Sequence, residues 1–192
     1  MALLSVEKRK EYFKYLGLGT YCEANILKMQ KKHMYRKSDH DGIYGPDTDA
    51  LLRHLRNCKK YAPSFHPDEF RCGCRGKYCC GFPTRMKAKE LAHIQAIRNH
   101  FGKPMVITSG LRCKGFNDTL RGASKASRHL TGFACDFYAK GLTDSVKGRN
   151  KVIKYAKKLK HHHYTYGNGV KDSNGFYIDA PNMGNAVHTD TR

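Results

Sequence analysis

Hydrophobic residues recur at helical spacing through the first 57 positions of the chain. One helix is predicted over residues 6–17 and a second over about residues 23–32, where Ile26 and Met29 share one face. A third helix is predicted to begin at position 47 or 48, because Pro46 suits a helix start and leucines at positions 51, 52 and 55 follow it. The pattern therefore predicts a small all-α unit at the start of the chain.

Mixed α and β periodicity follows from Phe65 onward. Helical spacing predicts helices over about residues 84–101 and residues 145–160. Short apolar or alternating runs predict strands over residues 105–108, 164–166, 176–179 and 186–191. We therefore expect a helical domain at residues 1–58, a linker at residues 59–64 and an α+β domain at residues 65–192.

The segment at residues 127–136, SRHLTGFACD, places an acidic residue inside an apolar strand. Ala134, Asp136 and Tyr138 share one face of this strand, and the aromatic and cysteine residues between them face the core. Gly132 lets the chain bend, so that His129 lies in a loop before the strand. Since a buried carboxylate is costly unless it is paired or binds a metal, Asp136 indicates a site.

Residues 41–52 have the sequence DGIYGPDTDALL, with two glycines and a proline in a tight loop before the third helix. We expect this loop to pack Ile43 and Tyr44 under the helices. The motif resembles the peptidoglycan-binding domain family, which makes Asp41 and Tyr44 candidate wall-binding residues. The alternative is a helical bundle with a Gly-Pro turn and no binding role.

The chain is strongly basic, with 36 Lys and Arg against 16 Asp and Glu and a formal net charge of +20. Such a surface implies an anionic partner. Nucleic acid is one candidate, but no nucleic-acid motif and no Trp accompany the charge. We expect bacterial peptidoglycan rather than nucleic acid. No apolar run is long enough for a membrane span, so we expect no membrane insertion.

Eight cysteines are present, five of them between residues 72 and 113. Cys72 and Cys74 together with Cys79 and Cys80 are candidate ligands of a structural zinc, although their spacing is not the usual paired form. Reduced thiols that pack a loop, or a disulfide formed after release, are equally open.

The pattern Ser-x-His-x-x-Gly-x-Ala-x-Asp at residues 127–136 resembles the zinc D-Ala-D-Ala carboxypeptidase and L-alanyl-D-glutamate endopeptidase family, whose fold is shared with the hedgehog signalling domain. The resemblance covers residues 65–192, and it includes the segments at residues 70–79, 97–104, 108–113 and 187–192. It implies a zinc ion held by His129, Asp136 and His188.

The same resemblance implies roles for other residues. Arg112 is expected to hold the substrate or to polarise its carbonyl, and Ser127 to lie near the substrate and the metal. Many relatives carry an acidic general base where this chain has Asn185. We expect Asp190 to replace it, either as the proton shuttle or through a hydrogen bond to a metal ligand, with Asp179 as a weaker candidate. A role of Asp190 as a metal ligand is a further alternative. The three histidines at residues 161–163 could also bind a metal, but we expect them to form a solvated face at the end of a helix.

The function implied by the resemblance is hydrolysis of peptidoglycan peptides, with the L-Ala–D-Glu bond preferred. D-Ala-D-Ala carboxypeptidase activity, a non-catalytic zinc module and a basic nucleic-acid-binding protein are the alternatives. Residues 1–7 do not have the pattern of a secretory signal. We therefore expect a monomeric enzyme of the phage endolysin type, which acts on the wall from the host cytoplasm after the membrane is permeabilised.

Overall fold

The computed structural model describes residues 2–192, and its first third is helical. Helix α1 spans Val6–Leu16, α2 spans Glu23–His33 and α3 spans Pro46–Tyr61. The Ser5 side chain accepts a hydrogen bond from a backbone N–H in the first turn of α1, and Pro46 begins α3, where a missing N–H costs nothing. The three helices predicted from periodicity are confirmed.

The loop before α3 differs from the prediction at Ile43. Its side chain is 65% exposed, so it does not pack under the helices. Tyr44 is half-buried, and its hydroxyl donates to Oδ1 of Asp49 at 2.9 Å. Gln30 holds the loop from inside, because its amide donates to Asp41 and accepts from the backbone N–H of Gly42. A polar network therefore fixes the loop, and Ile43 is left on the surface.

Helix α3 continues through part of the segment expected to be a linker. Residues 59–61 form its last turn, so the prediction of a linker at residues 59–64 is wrong there. Buried His54 of α3 contacts the following part of the chain: its Nε2 lies 3.0 Å from the carbonyl oxygen of Pro67, and its Nδ1 accepts from the N–H of Met86. One continuous apolar core includes Phe13 and Phe137. The helical segment is thus packed directly against the rest.

The remaining elements form an antiparallel sheet, a small hairpin and three helices. The helices are α4 (Ala88–Phe101), α5 (Lys114–Asn117) and α6 (Val146–Ala156). The strands are β1 (Met105–Ser109), β2 (Ala134–Ala139), β3 (His162–Gly167), β4 (Val170–Lys171), β5 (Tyr177–Ile178) and β6 (Val187–Thr191). Short 3-10 turns lie at Lys37–Asp39, Pro67–Phe70, Arg128–Thr131 and Pro181–Met183.

Two predicted helices are shorter in the structure. Helix α4 starts four residues later than expected, because Lys87 is extended and its N–H donates to the carbonyl of Gly132 at 2.8 Å. Helix α6 ends at Ala156, after which the chain turns into β3. The run at residues 161–163, expected to be a solvated face at a helix end, instead enters a strand of the sheet.

The main sheet has the strand order β1-β2-β6-β3, and every neighbouring pair is antiparallel. Helix α4 contacts β6, and α6 contacts both α4 and β3. Cys135, Phe137 and Val187 are fully buried in the core that these helices share with the sheet. The mixed α and β fold predicted from the sequence is confirmed. Among the described residues, no helix has the length and apolar character needed to cross a membrane.

Candidate metal-binding active site

Four polar residues form a row across the main sheet, one from each strand. Ser109 of β1 pairs with Asp136 of β2, Asp136 pairs with His188 of β6, and His188 pairs with Tyr166 of β3. Cross-strand partners point to the same side of a sheet. The register therefore brings Asp136 and His188, which are 52 positions apart, to one place.

His129 joins the row from the 3-10 turn that precedes β2. Its Nε2 lies 3.4 Å from Oδ1 of Asp136 and 3.3 Å from Nδ1 of His188, and that nitrogen lies 2.7 Å from the same Oδ1. The side chains of the two histidines are 2% and 9% exposed, and that of Asp136 is 14% exposed. Two imidazoles and one carboxylate thus surround one point at the edge of the interior.

Gly132 explains how the turn delivers His129. Its φ is +74°, and a Cβ atom added there would meet the carbonyl oxygen of Arg85 at 2.2 Å. A larger residue would clash with backbone that cannot move aside, so the left-handed turn requires glycine. Gly132 therefore allows the bend predicted from the sequence, and it also lets the turn pack closely against the backbone of Arg85.

The hydrogen bonds of the two histidines show whether these residues fit a metal ion. Nδ1 of His129 lies 2.7 Å from the carbonyl oxygen of Gly110, to which it can only donate. Nε2 of His188 lies 3.3 Å from the carboxylate of Asp190, to which it also donates. When His188 is neutral, the nitrogens that face Asp136 are then both acceptors, like the carboxylate itself. Three converging acceptors need a cation, so the residues fit a metal.

The pKa values of His188 and Asp136 also indicate a site for a cation. Burial by itself lowers the pKa of His188, but the carboxylates of Asp136 and Asp190 raise it to about 9. Burial by itself raises the pKa of Asp136, but His129 and His188 hold it well below its usual range. In the metal-free chain His188 is therefore protonated on both ring nitrogens, and the proton on Nδ1 faces Asp136. A metal ion would replace that proton, because ligand nitrogens must be deprotonated.

Arg112 contacts the same carboxylate from the other side. Its Nη2 donates to Oδ2 of Asp136 at 2.9 Å, and its Nε donates to Oγ of Ser109 at 3.0 Å. A guanidinium fixed at two points orients the carboxylate and leaves Oδ1 directed at the histidines. The structure thus gives Arg112 a contact with a candidate metal ligand, and its expected contact with substrate stays a prediction.

Asp190, the expected proton shuttle, has both oxygens engaged. Oδ2 accepts from Nε2 of His188, and Oδ1 lies 2.5 Å from Nδ1 of His163 and 3.6 Å from Nε of Arg128. It lies on the far side of the His188 ring from Asp136. A carboxylate in that place fixes the tautomer and orientation of a metal-binding histidine. These contacts favour the expected hydrogen bond to a ligand and leave the role of Asp190 as general base without structural support.

An open cleft of about 310 Å³ is bordered by two of the three candidate ligands, His129 and His188. Its lining includes Arg112, Ser127, Arg128 and Tyr166 beside His129, His188 and Asp190. The structure therefore brings the predicted substrate-side residues Arg112 and Ser127 to the same cleft as the candidate metal ligands His129 and His188. A catalytic metal centre needs this open side, whereas a structural one is closed.

Sequence reasoning missed Tyr166 and Arg128. The ring of Tyr166 packs against that of His188, with the two ring centres 4.7 Å apart. Burial raises the pKa of its phenol, which stays protonated at neutral pH. Arg128 donates to the carbonyl of Thr191 and borders Asp190. Alternation along β3 indicates that Tyr166 points to one defined side of the strand. Only the pairing of β3 with β6 places that side in the cleft.

Other predicted residues lie away from the cleft. Asn185 is exposed and accepts from Arg149 at 3.2 Å, so it holds a loop instead of replacing a base. Asp179 is exposed after β5 and does not line the cleft. Asp41 and Tyr44 lie within the loop before α3. Their contacts hold that loop together, and wall binding by them stays a prediction.

Comparison with known proteins gives one match. The family model described as Peptidase M15 matches residues 63–177, which include His129 and Asp136. His188 and Asp190 lie beyond the matched range, so this match does not bear on them, and the strand pairing is what places them at the site. No curated protein and no solved structure matches the chain.

Proposed function

The chain belongs to the peptidase M15 family, and we propose that it is a zinc metallopeptidase that hydrolyses the peptides of bacterial peptidoglycan. The observation that carries the proposal is the set of His129, Asp136 and His188, whose ligand atoms lie within 4.8 Å of one another beside an open cleft. Two histidines and one carboxylate with an open position are the ligand set of a catalytic zinc.

When it is bound, zinc supplies a Lewis acid that polarises the scissile carbonyl and makes a water molecule more acidic. The residues of the chain hold the ligands in place for this chemistry. Arg112 fixes Asp136 through Oδ2, and Asp190 fixes His188 through Nε2. Both are positioning residues, because each acts on a ligand through a hydrogen bond.

Tyr166 is the candidate donor to the oxyanion of the tetrahedral intermediate. It lines the cleft next to His188 and keeps its proton at neutral pH. A fixed O–H donor near the developing negative charge is worth about 10²–10³ in rate in other acyl-transfer sites. Ser127 lies at the same cleft, where its hydroxyl can bind the substrate backbone.

The cationic lining favours a peptide that carries carboxylates. Arg112 borders both this cleft and a neighbouring cavity of about 620 Å³, which Lys125 and the ion pair of Lys114 with Asp118 also line. Guanidinium and ammonium groups suit free carboxylates, of which a wall peptide that contains D-Glu offers several. This lining supports the L-Ala–D-Glu bond as the one cut.

The helical segment at residues 1–58 is the proposed wall-binding part. A cavity of about 290 Å³ lies beside the loop before α3, bordered by Asp41, Ile43 and Thr48. The exposed Ile43 gives this loop an apolar contact, and the net charge of +20 suits anionic wall polymers. These features support a lysis enzyme of the phage endolysin type.

The deciding experiment is digestion of purified peptidoglycan, with the new termini identified by mass spectrometry. A new D-Glu amino terminus is expected, and it should vanish in His129→Ala but persist in the matched control His161→Ala, which lies outside the cleft. Release of D-Ala instead would assign carboxypeptidase activity. The absence of any cleavage by the zinc-loaded chain would overturn the proposal.

A further inference from the structure

Four cysteines form a second cluster, apart from the cleft. Their sulfur atoms lie within 4.8 Å of one another, and all four side chains are buried. The cluster consists of Cys72, Cys74, Cys79 and Cys113. The fourth cysteine is Cys113, which follows β1, and not Cys80 as predicted from the sequence. Cys80 packs into the main core instead. We propose that this tetracysteine cluster binds a structural zinc ion.

The spacing of the sulfurs suits tetrahedral coordination. Zn–S bonds of about 2.3 Å place the four sulfurs of a tetrahedral site about 3.8 Å apart. In the cluster, Sγ of Cys74 lies 3.5 Å from Sγ of Cys79, and every other pair is within 4.8 Å. Small movements bring all four to bonding distance. Among the described residues each of the eight cysteines is a free thiol.

The backbone around the cluster is shaped for thiolate ligands. The N–H of Cys113 donates to Sγ of Cys72 at 3.3 Å, which stabilises negative charge on that sulfur. Between Cys74 and Cys79 the chain reverses through Arg75, with φ of 51°, and Gly76, with φ of 90°. A left-handed arginine is unfavourable by itself, so the packing around it must hold the turn.

The region has little else to stabilise it. The four cysteines form an apolar cluster separate from the main core, with Phe116 as the partly buried hydrophobic residue packed against it. Residues 72–79 contain no helix or strand. A segment with so small a core needs a crosslink, and a metal is the crosslink that uses four thiols at once.

Basic residues flank the ligands and suit the charge of such a site. Zinc with four thiolates carries a net charge of −2. Arg71, Arg75, Lys77 and Lys114 are each within two positions of a cluster cysteine in the sequence. The ring of Phe116 also lies against Gly73, where an added Cβ would be 2.9 Å from it, so the loop closes tightly over the thiols.

The tetracysteine cluster also anchors residues 110–113, which orient the active site. The carbonyl of Gly110 accepts from His129, and Arg112 donates to Asp136. Cys113 is the next residue and a proposed ligand. A zinc ion bound there would fix the segment that aligns two of the three ligands of the catalytic metal. The second site thus supports the first without sharing a ligand with it.

The test is a metal analysis of the full chain, purified with zinc under reducing conditions. Two zinc ions per chain are expected in the wild type, and one in His129→Ala. X-ray absorption of His129→Ala should then show sulfur ligands alone, and its cobalt form should show thiolate charge-transfer bands in the near ultraviolet. A His129→Ala chain without zinc, or with nitrogen and oxygen ligands alone, would overturn the proposal.

Cysteine variants give a second measure. Cys113→Ser should reduce the zinc content of the wild type from two to one, while the matched control Cys80→Ser, buried one position from Cys79, should keep two. Equal zinc content in both variants would contradict the assignment. If Cys113→Ser does not fold, the spectra of His129→Ala still decide. Because the readout is metal content and not hydrolysis, a failure of the peptidase proposal would be seen separately.

Discussion

Nη2 of Arg112 donates to Oδ2 of Asp136 at 2.9 Å, and this bond turns Oδ1 of the same carboxylate toward His129 and His188. The guanidinium that the family resemblance assigned to substrate therefore contacts a proposed metal ligand. Its side chain is 14% exposed, so the bond is largely shielded from water and from screening by salt.

Arg112→Lys should weaken zinc binding, because a single ammonium cannot bond both Ser109 and Asp136 in the same plane. We expect about a 10–100-fold loss of affinity for the catalytic zinc, which is typical when a partner of a metal ligand is removed. Competition with a chelator measures it. Arg121→Lys, an exposed arginine near the cleft, is the control. An unchanged zinc affinity with a raised KM would favour the substrate role instead.

Asp190→Asn separates positioning from base catalysis. If Asp190 only orients His188, the variant should bind zinc about 10–100-fold more weakly and should recover much of its activity in excess zinc. If Asp190 is the base, kcat should fall about 10²–10⁴-fold at saturating zinc, with the zinc affinity unchanged. The contacts of both oxygens lead us to expect the first result.

Tyr166→Phe removes the proposed donor to the oxyanion while the ring stays packed against His188. We expect kcat to fall about 10²-fold, with KM and zinc content unchanged. Tyr164→Phe is the matched control on the same strand, because its hydroxyl donates to Asp172 at 2.6 Å and its side chain is not part of the cleft lining. Equal rates for Tyr166→Phe and the wild type would remove the hydroxyl from the mechanism.

His54 should make the fold sensitive to acid. Burial lowers its pKa from 6.5 to about 4, although the carbonyl of Pro67 opposes the shift. The unfolded chain takes up a proton below pH 6.5 and the folded chain does not. The stability that depends on a neutral His54 should therefore be fully present above pH 6.5. Between pH 6.5 and pH 4 the free energy of unfolding should fall, by up to about 1.4 kcal/mol per pH unit for this group.

Urea unfolding at a series of pH values measures this slope. His54→Gln should lower the stability at pH 8 and make the slope between pH 4 and pH 6.5 shallower, because the titrating group is gone. His100→Gln, the same substitution at an exposed position of α4, is the control. A slope that is the same in His54→Gln and the wild type would show that His54 does not carry the effect.

Local sequence patterns were sufficient for the elements and for part of the site. The leucines of α3 and the apolar run of β1 predict their elements, because periodicity reports which face is buried. The full pattern at residues 127–136, through the family resemblance that it carries, identifies two of the three candidate ligands, His129 and Asp136. Both residues lie in one ten-residue segment, where the local turn and strand geometry decides which side chains come into contact.

Tertiary structure decided the contacts between residues distant in sequence. The extension of α3 to Tyr61 depends on packing that the basic and proline residues around it do not reveal. The loop around Ile43 is held by the amide of Gln30, thirteen positions away. Such contacts follow from how elements dock, and a single sequence has no local signal for docking.

The sequence by itself thus determined the elements, the family resemblance and the segment at residues 127–136. The fold alone decided what Asp190 and Arg112 contact, that Tyr166 faces the cleft, and that Cys113 completes the tetracysteine cluster. The physical reason is strand register: the pairing of β6 with β2 and β3 sets which side chains share a face, and it is fixed by burial of the whole sheet. A one-residue shift of β6 would turn His188 into the core.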